Sequence, residues 1–244
     1  MPVLVKTIPV IREPLTVKQA LVIMAKAPRP GRTKTRLCPP LSHEQAADLY
    51  RCFLMDTITI AREAVAAEAA PTSIILIYPE GDRELLANLI PATVELMEQR
   101  QGDLGTGLQG AFEDYLDGGH RRVVIIGTDS PSMPASLISE AFYVLKDHDL
   151  VLGPARDGGY YLIGLNQSYP RLFDRIAWSD DRVLAQTLAR AAQLELDVQL
   201  LPPWYDIDTV AELRELIGEL ATGSPAAQTA NFFQLHAEMK SALV

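Results

Sequence analysis

Short apolar runs alternate with segments of helical periodicity along nearly the whole chain. The first run, residues 20–25 (ALVIMA), precedes a long helical pattern that starts after Ser42. Later strand-like runs are SIILIYP, ATVELMEQ, RRVVIIG, DLVLGP, YYLIGLN and DVQLLP. This alternation is typical of βαβ units, and the most apolar runs are typical of strands covered on both faces. The pattern therefore predicts an α/β protein, a three-layer α/β/α arrangement around a mostly parallel mixed sheet.

Two helices carry a start signal in the sequence, the capping box, in which a hydroxyl and a side chain three residues later bond each other's backbone N–H. The two boxes are Ser42 with Gln45 and Thr209 with Glu212. No internal repeat or low-complexity linker divides the chain. We therefore expect one domain over residues 1–244, with residues 1–19 as an N-terminal arm and residues 221–244 as a C-terminal extension.

The composition limits the function. The chain has 244 residues, 48% of them hydrophobic, and is long enough to bury a sizeable core. Its formal net charge of -9 argues against general nucleic-acid binding, which needs a basic face. Charged residues and prolines break the N-terminal apolar pattern, and Cys38 and Cys52 lack metal-ligand spacing and a disulfide framework. We expect a cytoplasmic protein that binds neither membrane nor nucleic acid, and a homodimer stays open.

One loop departs from the acidic balance. Residues 25–37 (AKAPRPGRTKTRL) contain no acid and five cations, which are Lys26, Arg29, Arg32, Lys34 and Arg36. The loop follows the first strand, and open parallel sheets bind ligands beyond the carboxyl ends of their strands. Arginine and lysine side chains both bind phosphate oxygens. The loop lacks the P-loop pattern, so it predicts a phosphate site of another kind, with a solvated basic loop as the alternative.

Two acidic segments follow strands in the same way. Asp129 lies in GTDSP after the strand at 121–126, and Asp206 and Asp208 lie in DIDT after the last strand. Such carboxylates suit Mg²⁺, which takes one or two of them and fills its other positions with waters and substrate phosphates. Asp206 and Asp208 are two residues apart and would face the same side of an extended segment. Helix capping is the alternative for each segment, but one cap is enough and leaves an acid unexplained in both.

Two further motifs are ambiguous. Residues 105–110 (GTGLQG) match the spacing of the dinucleotide fingerprint, but they follow the third strand instead of the first, so we do not expect a dinucleotide site. GPARDGGYYLIGL joins two strands, and turn chemistry alone explains its Asp-Gly-Gly. Contact of Arg156, Asp157 and Tyr160 with a second substrate is the alternative. The histidines show no catalytic partner pattern.

Six segments occur in a characteristic order between residues 21 and 216. They are AKAPRPGRTKTRL, QGDLG, GTDSP, GPARDGGYYLIGL, WSDDRVLAQTL and DIDTVAEL. Together they resemble the bacterial glycosyltransferase-like family of the GT-A nucleotide-diphospho-sugar transferase superfamily, which is related to 2-phospho-lactate and molybdenum-cofactor guanylyltransferases. The resemblance implies a Rossmann-like GT-A fold that binds a nucleotide together with a divalent cation, Mg²⁺ or Mn²⁺.

The resemblance also implies roles for individual residues. Metal ligation falls to Asp129 and Asp208, and catalysis to Lys34, Arg36 and Asp129. The residues implied in nucleotide and phosphate binding are Ala25, Lys26, Arg32, Lys34, Arg36, Gln101, Gly102, Asp103 and Thr128, of which residues 101–103 would lie near the base. The candidate residues for acceptor binding come from the GPARDGGYYLIGL motif itself and are Arg156, Asp157, Gly158 and Tyr160.

Three functions stay open at this point. The leading hypothesis is a metal-dependent nucleotide-diphospho-sugar transferase, which moves a group from a nucleotide donor to a small acceptor. Glycosyltransferases of this fold usually carry Asp-x-Asp, whereas this chain has Asp129-Ser130-Pro131. A nucleotidyltransferase that joins a nucleoside triphosphate to a phosphorylated acid or sugar, with release of pyrophosphate, is therefore the first alternative. The second is a non-catalytic nucleotide-binding protein.

Overall fold

A computed structural model describes residues 17–178 and 180–243. The strands are β1 (Gln19–Met24), β2 (Thr72–Tyr78), β3 (Glu95–Glu98), β4 (Arg122–Ile126), β5 (Leu150–Pro154), β6 (Tyr160–Leu165) and β7 (Val198–Leu200). The helices are α1 (His43–Ala67), α2 (Arg83–Ala87), α3 (Leu104–Leu116), α4 (Ala135–Val144), α5 (Val183–Gln193), α6 (Val210–Leu220), α7 (Ala227–Leu235) and α8 (Ala237–Leu243). Short 3-10 turns cover Thr35–Leu37 and Pro170–Phe173.

The strands form one seven-stranded sheet in the order β3-β2-β1-β4-β6-β5-β7. All neighbours are parallel except β6, which runs antiparallel to both β4 and β5. The predicted mostly parallel mixed sheet is confirmed. The strand order reverses direction at β1, because β2 lies on one side of it and β4 on the other. Ligands of such sheets bind beyond the strand ends at this switch point.

Alternate residues of the central strands point to opposite faces of the sheet, and helices cover both faces. Leu21 and Ile23 of β1 belong to a core cluster under α1, α2 and α4. Ala20 and Val22 belong to a second cluster on the other face, under α3 and α5. The sheet is therefore apolar on both faces, as the uninterrupted run in the sequence predicted, and the three-layer α/β/α arrangement is confirmed.

The C-terminal helices pack on the outer side of α1. A third core cluster joins α1, α6, α7 and α8, and includes Phe53, Leu213 and Phe233. The Asp56 carboxylate of α1 accepts hydrogen bonds from the backbone N–H groups of Gln228 (2.8 Å) and Thr229 (2.9 Å) at the start of α7. A side chain from one helix thus supplies the N-terminal cap of another.

The predicted capping boxes of α1 and α6 are both present. Most of the predicted N-terminal arm, residues 1–16, lies outside the described residues. The single-domain assignment stays a prediction. Among the described residues, no helix has the length and apolar character needed to cross a membrane.

Candidate functional site

Three segments that are far apart in sequence meet at the carboxyl ends of β1 and β4. The Lys34 Nζ lies 2.5 Å from Asp129 Oδ1 and 3.0 Å from Asp208 Oδ1. The Lys34 side chain is only 5% exposed, whereas the two carboxylates are 44% and 41% exposed. The cation is therefore buried beneath a pair of acids that face solvent. This brings together three of the predicted phosphate-binding and metal-binding residues.

The local fold places Lys34 in this position. Its backbone is left-handed, with φ 49° and ψ 37°, directly before the 3-10 turn at Thr35–Leu37. The ammonium also lies 5.9 Å from the centre of the Phe53 ring on α1. Burial acts to lower the pKa of Lys34, but the charges of Asp129 and Asp208 outweigh it, and the pKa lies above its ordinary value. Lys34 is therefore a fixed positive charge at neutral pH.

The other cations of the loop have different surroundings. Arg36 is exposed, and its Nη1 lies 3.7 Å from Asp208 Oδ2. Arg29 turns away from the acids: its Nε contacts Asp82 Oδ1 at 2.9 Å. Lys26 and Arg32 are exposed and have no side-chain partner among the described residues. The loop thus offers two exposed cations that have no side-chain partner among the described residues.

A buried tyrosine links the two loops that carry Lys34 and Asp129. The Tyr50 hydroxyl on α1 accepts a hydrogen bond from the Lys26 backbone N–H (3.1 Å) and lies 2.8 Å from Thr128 Oγ1. Burial raises the pKa of Tyr50 to about 12, so the hydroxyl keeps its proton at neutral pH. Thr128 is itself buried, and its side chain serves this link in the structure.

The loop before α6 is joined to the loop after β4 by its backbone. The Ile207 N–H donates to the Asp129 carbonyl at 2.7 Å. Ser130 Oγ lies 2.5 Å from Asp206 Oδ1. Burial, together with the nearby charge of Asp129, raises the pKa of Asp206 to about 6. Asp206 and Asp208 therefore take different partners, although both lie in the same neighbourhood.

The Asp129 and Asp208 carboxylates suit a divalent metal ion. Within residues 17–178 and 180–243, no cluster of three or more His, Cys, Asp or Glu side chains forms a metal site by itself. Mg²⁺ needs no such cluster, because one or two carboxylates are enough when waters and substrate phosphates complete its shell. Both carboxylates are half-exposed, and each has an oxygen within 3.0 Å of the same atom, Lys34 Nζ. The donor set thus fits a nucleotide-bound divalent cation.

The residues predicted near the base lie after β3. Asp103 caps α3, where it accepts from the Thr106 N–H at 2.8 Å. The Gln101 side-chain amide donates to Glu80 Oε2 at 3.0 Å. Gly102 has a positive φ of 147°. None of residues 101–103 has a described hydrogen bond or ion pair to the cluster of Lys34, Asp129 and Asp208.

The glycines of residues 105–110 lie inside α3, where they allow close packing. A Cβ built on Gly105 would come within 2.4 Å of the Trp178 ring, and one on Gly110 within 2.6 Å of Arg100. Helix packing therefore explains the glycine spacing, in agreement with the expectation that it is not a dinucleotide fingerprint.

The residues predicted to contact an acceptor lie at the turn between β5 and β6. Arg156 is exposed and pairs with Glu215 at 2.8 Å, while its guanidinium lies 4.7 Å from the Tyr205 ring centre. Asp157 accepts from the Gly159 N–H. Tyr160 begins β6 and packs in the core cluster under α3 and α5. The charge of Asp157 contributes to the raised pKa of Asp206.

Gly158 in the same turn has φ 92°, and a Cβ on it would lie 1.8 Å from the Asp181 carbonyl oxygen. The turn between β5 and β6 therefore packs against the segment before α5 through backbone atoms.

Sequence reasoning missed three side chains that hold these loops in place. Tyr50 occupies an ordinary position in the apolar pattern of α1, and nothing in that pattern separates it from a core residue. Asp82 lies in the turn after β2 and accepts from the Ala27 N–H at 2.7 Å. Ser130 donates to the Tyr205 carbonyl at 3.0 Å and does not cap α4, whose N-cap residue is Pro134 and which has no side-chain cap.

Comparison with known proteins shows the family. Residues 59–180 match the family described as "Uncharacterized protein conserved in bacteria (DUF2064)". The chain belongs to this family. A crystal structure from Desulfovibrio desulfuricans G20, of a protein assigned as a nucleotide-diphospho-sugar transferase, is 31% identical, with a TM-score of 0.83. The match covers 92% of this chain and 97% of that one.

Three curated relatives of this DUF2064 member are guanylyltransferases. The chain is 28% identical over 207 residues to phosphoenolpyruvate guanylyltransferase from Sphaerobacter thermophilus, covering 82% of this chain and 94% of the relative. It is 31% identical over 144 residues to 3-phospho-D-glycerate guanylyltransferase from Phenylobacterium zucineum, covering 56% and 62%. For 2-phospho-L-lactate guanylyltransferase from Methanocaldococcus jannaschii, identity is 28% over 135 residues, which is 54% of each chain.

The chain thus spans little more than half the length of two of these relatives. The predicted relation to 2-phospho-lactate guanylyltransferases and the Rossmann-like fold of nucleotide-diphospho-sugar transferases are confirmed. All four proteins are named as transferases, which agrees with the predicted class of enzyme.

Proposed function

We propose that this DUF2064 member is a nucleotidyltransferase that transfers a nucleotide from GTP to a small phosphorylated carboxylic acid and releases pyrophosphate. The observation that carries the proposal is the buried Lys34 ammonium between the solvent-facing Asp129 and Asp208 carboxylates. Each of the three curated relatives is a guanylyltransferase named for a phosphorylated acid. These names support the choice of nucleotide and acceptor class.

The proposed reaction needs no protein nucleophile. A phosphate oxygen of the acceptor attacks the α-phosphorus of GTP, and the bond from that phosphorus to the oxygen bridging it to the β-phosphate breaks. Pyrophosphate leaves with the electron pair of that bond. The demand on the protein is to bring two anions together and to stabilise the charge on the leaving group. A site rich in fixed cations meets that demand.

Each residue of the site has a place in this proposal. The exposed Lys26 and Arg32 bind the triphosphate, and Lys34 and Arg36 stabilise the charge that develops on it. Asp129 and Asp208 hold Mg²⁺ or Mn²⁺, which neutralises phosphate oxygens when bound. Residues 101–103 border the base and the turn at residues 156–160 borders the acceptor. The cytoplasmic location stays a prediction.

The test measures whether pyrophosphate is released from a nucleoside triphosphate in the presence of an acceptor. Purified protein is incubated with Mg²⁺ and GTP, ATP, CTP or UTP, each with 2-phospho-L-lactate, 3-phospho-D-glycerate or phosphoenolpyruvate, and pyrophosphate is quantified. We expect acceptor-dependent pyrophosphate release with GTP. D129N should lose about a hundredfold or more of the activity, as for loss of a main electrostatic group. D48N, which changes an exposed acid of α1 paired with Arg51, is the matched control and should stay active.

Sugar transfer is the second candidate, because the Desulfovibrio desulfuricans relative is assigned to the nucleotide-diphospho-sugar transferases. GDP release from a GDP-sugar without pyrophosphate release from GTP would replace the first proposal by this one. Nucleotide binding without turnover for any donor would favour the non-catalytic alternative.

A further inference from the structure

The Lys34 ammonium contacts the same Asp129 and Asp208 carboxylate oxygens that a metal ion would bind. Its nitrogen lies 2.5 Å from Asp129 Oδ1 and 3.0 Å from Asp208 Oδ1, and its side chain is 5% exposed. A surface lysine would move aside at little cost, but this one is enclosed by the protein, with the Phe53 ring 5.9 Å from the ammonium. A divalent cation at these two carboxylates would therefore lie next to a second positive charge that has little room to leave.

We propose that Lys34 acts as an internal counter-ion that keeps the Asp129 and Asp208 pair closed to a free divalent cation until nucleotide phosphates arrive. Metal and nucleotide then bind cooperatively, each strengthening the binding of the other. This inference rests on the proposed function, because it assigns the nucleotide as the ligand that opens the site.

The charges of the cluster support this coupling. Without ligand, the Asp129 and Asp208 carboxylates already face two cations, the Lys34 ammonium and the Arg36 guanidinium, whose Nη1 lies 3.7 Å from Asp208 Oδ2. A divalent cation alone would add positive charge beside two cations with no new anion. A triphosphate brings anionic oxygens that give both Lys34 and the metal new partners. The coupling is reciprocal by thermodynamic necessity.

Mn²⁺ binding without nucleotide provides the direct test. The free Mn²⁺ signal in electron paramagnetic resonance gives the affinity of the protein for the metal alone. We expect K34M to bind Mn²⁺ about tenfold more tightly than the wild type, within the usual range of coupling between sites. K34R keeps the charge and should bind Mn²⁺ as weakly as the wild type. R29M is the matched control, because it removes a cation of the same loop that pairs with Asp82 instead of Asp129 or Asp208, and its Mn²⁺ affinity should stay near that of the wild type.

A second titration measures the coupling itself. Calorimetry gives the affinity for a non-hydrolysable GTP analogue, once with Mn²⁺ and once with a chelator. We expect Mn²⁺ to tighten nucleotide binding about tenfold in the wild type and much less in K34M. Thermal unfolding shows whether K34M is folded, and K34Q, which keeps hydrogen-bonding capacity without the charge, replaces it if it is not.

The outcomes separate this inference from the proposed function. Equal Mn²⁺ affinity of K34M and the wild type, with nucleotide binding intact, would overturn the counter-ion role and leave the proposed function standing. A wild type that binds no nucleotide under any metal condition would overturn both proposals.

Discussion

Replacing Tyr50 with phenylalanine tests whether the two loops of the site are held together by one buried hydroxyl. The change removes a single oxygen that accepts from the Lys26 N–H at 3.1 Å and lies 2.8 Å from Thr128 Oγ1. Tyr50 is 4% exposed and Thr128 is 3% exposed, so water does not readily replace the lost partner. The Lys26 N–H and the Thr128 hydroxyl then both lose a hydrogen bond.

The size of the effect follows from these two groups. A buried polar group left without a partner costs about 1–3 kcal/mol. The Lys26 N–H is only partly buried and should contribute at the low end. We therefore expect Y50F to lower the free energy of unfolding by about 2 kcal/mol. For a chain of this size, that corresponds to a fall in Tm of about 4–8 °C. Since Lys26 begins the basic loop, the nucleotide dissociation constant should rise as well.

A double-mutant cycle with T128V isolates the link. Thermal and urea unfolding are measured for the wild type, Y50F, T128V and the double variant. Valine has nearly the shape of threonine, so the double variant replaces both partners by apolar groups and should lose less stability than the two single variants together. We expect a coupling energy of about 1 kcal/mol. Strict additivity of the two changes would refute the claim that this hydrogen bond ties the loops.

Three further changes test other parts of the structure. D56A removes the side chain of α1 that caps α7 and should cost about 2 kcal/mol in urea unfolding, whereas D48A on the exposed face of α1 should cost under about 0.5 kcal/mol. Folding raises the pKa of Tyr50 from 10.0 to about 12, so the stabilisation from its protonated hydroxyl is complete below pH 10 and is lost as the pH rises towards 12. The difference in unfolding free energy between wild type and Y50F should therefore shrink over that pH range. G158A places a Cβ 1.8 Å from the Asp181 carbonyl at a positive φ and should lower Tm, with a cost of about 1–3 kcal/mol or more; an unchanged Tm would show that this turn adjusts freely.

The sequence predicted most of the elements because their signals are local. The capping box of Ser42 and Gln45 spans three positions, and the strand at residues 20–25 is apolar at every position. Such patterns depend on neighbouring residues alone, so the helices and strands that they predict do not depend on knowing the tertiary contacts. The prediction that the site lies beyond the carboxyl ends of the strands followed from the same reasoning, since the basic loop and Asp129 both follow strands.

The partners of the charged groups could not be predicted in the same way. Arg29 and Lys34 lie in one loop and carry the same charge, yet Arg29 pairs with Asp82 and Lys34 with Asp208, which is 174 residues away in sequence. Which cation meets which acid depends on how the loops approach each other, and no local pattern contains that information. Tyr50 was missed for the same reason, because its hydroxyl has a partner only after α1 packs against the sheet.

The site does not depend on its charges alone for its shape. The Ile207 N–H donates to the Asp129 carbonyl at 2.7 Å, and this bond joins the two acidic loops through their backbones. Substituting the Asp129 side chain leaves that bond in place. Lys34 stays positioned by its left-handed backbone before the turn at Thr35–Leu37. Changes to the charged side chains should therefore alter metal and nucleotide binding more than the fold, which makes D129N and K34M suitable probes of chemistry. Y50F and G158A act on the supporting structure instead, and the contrast between the two groups of variants separates the roles.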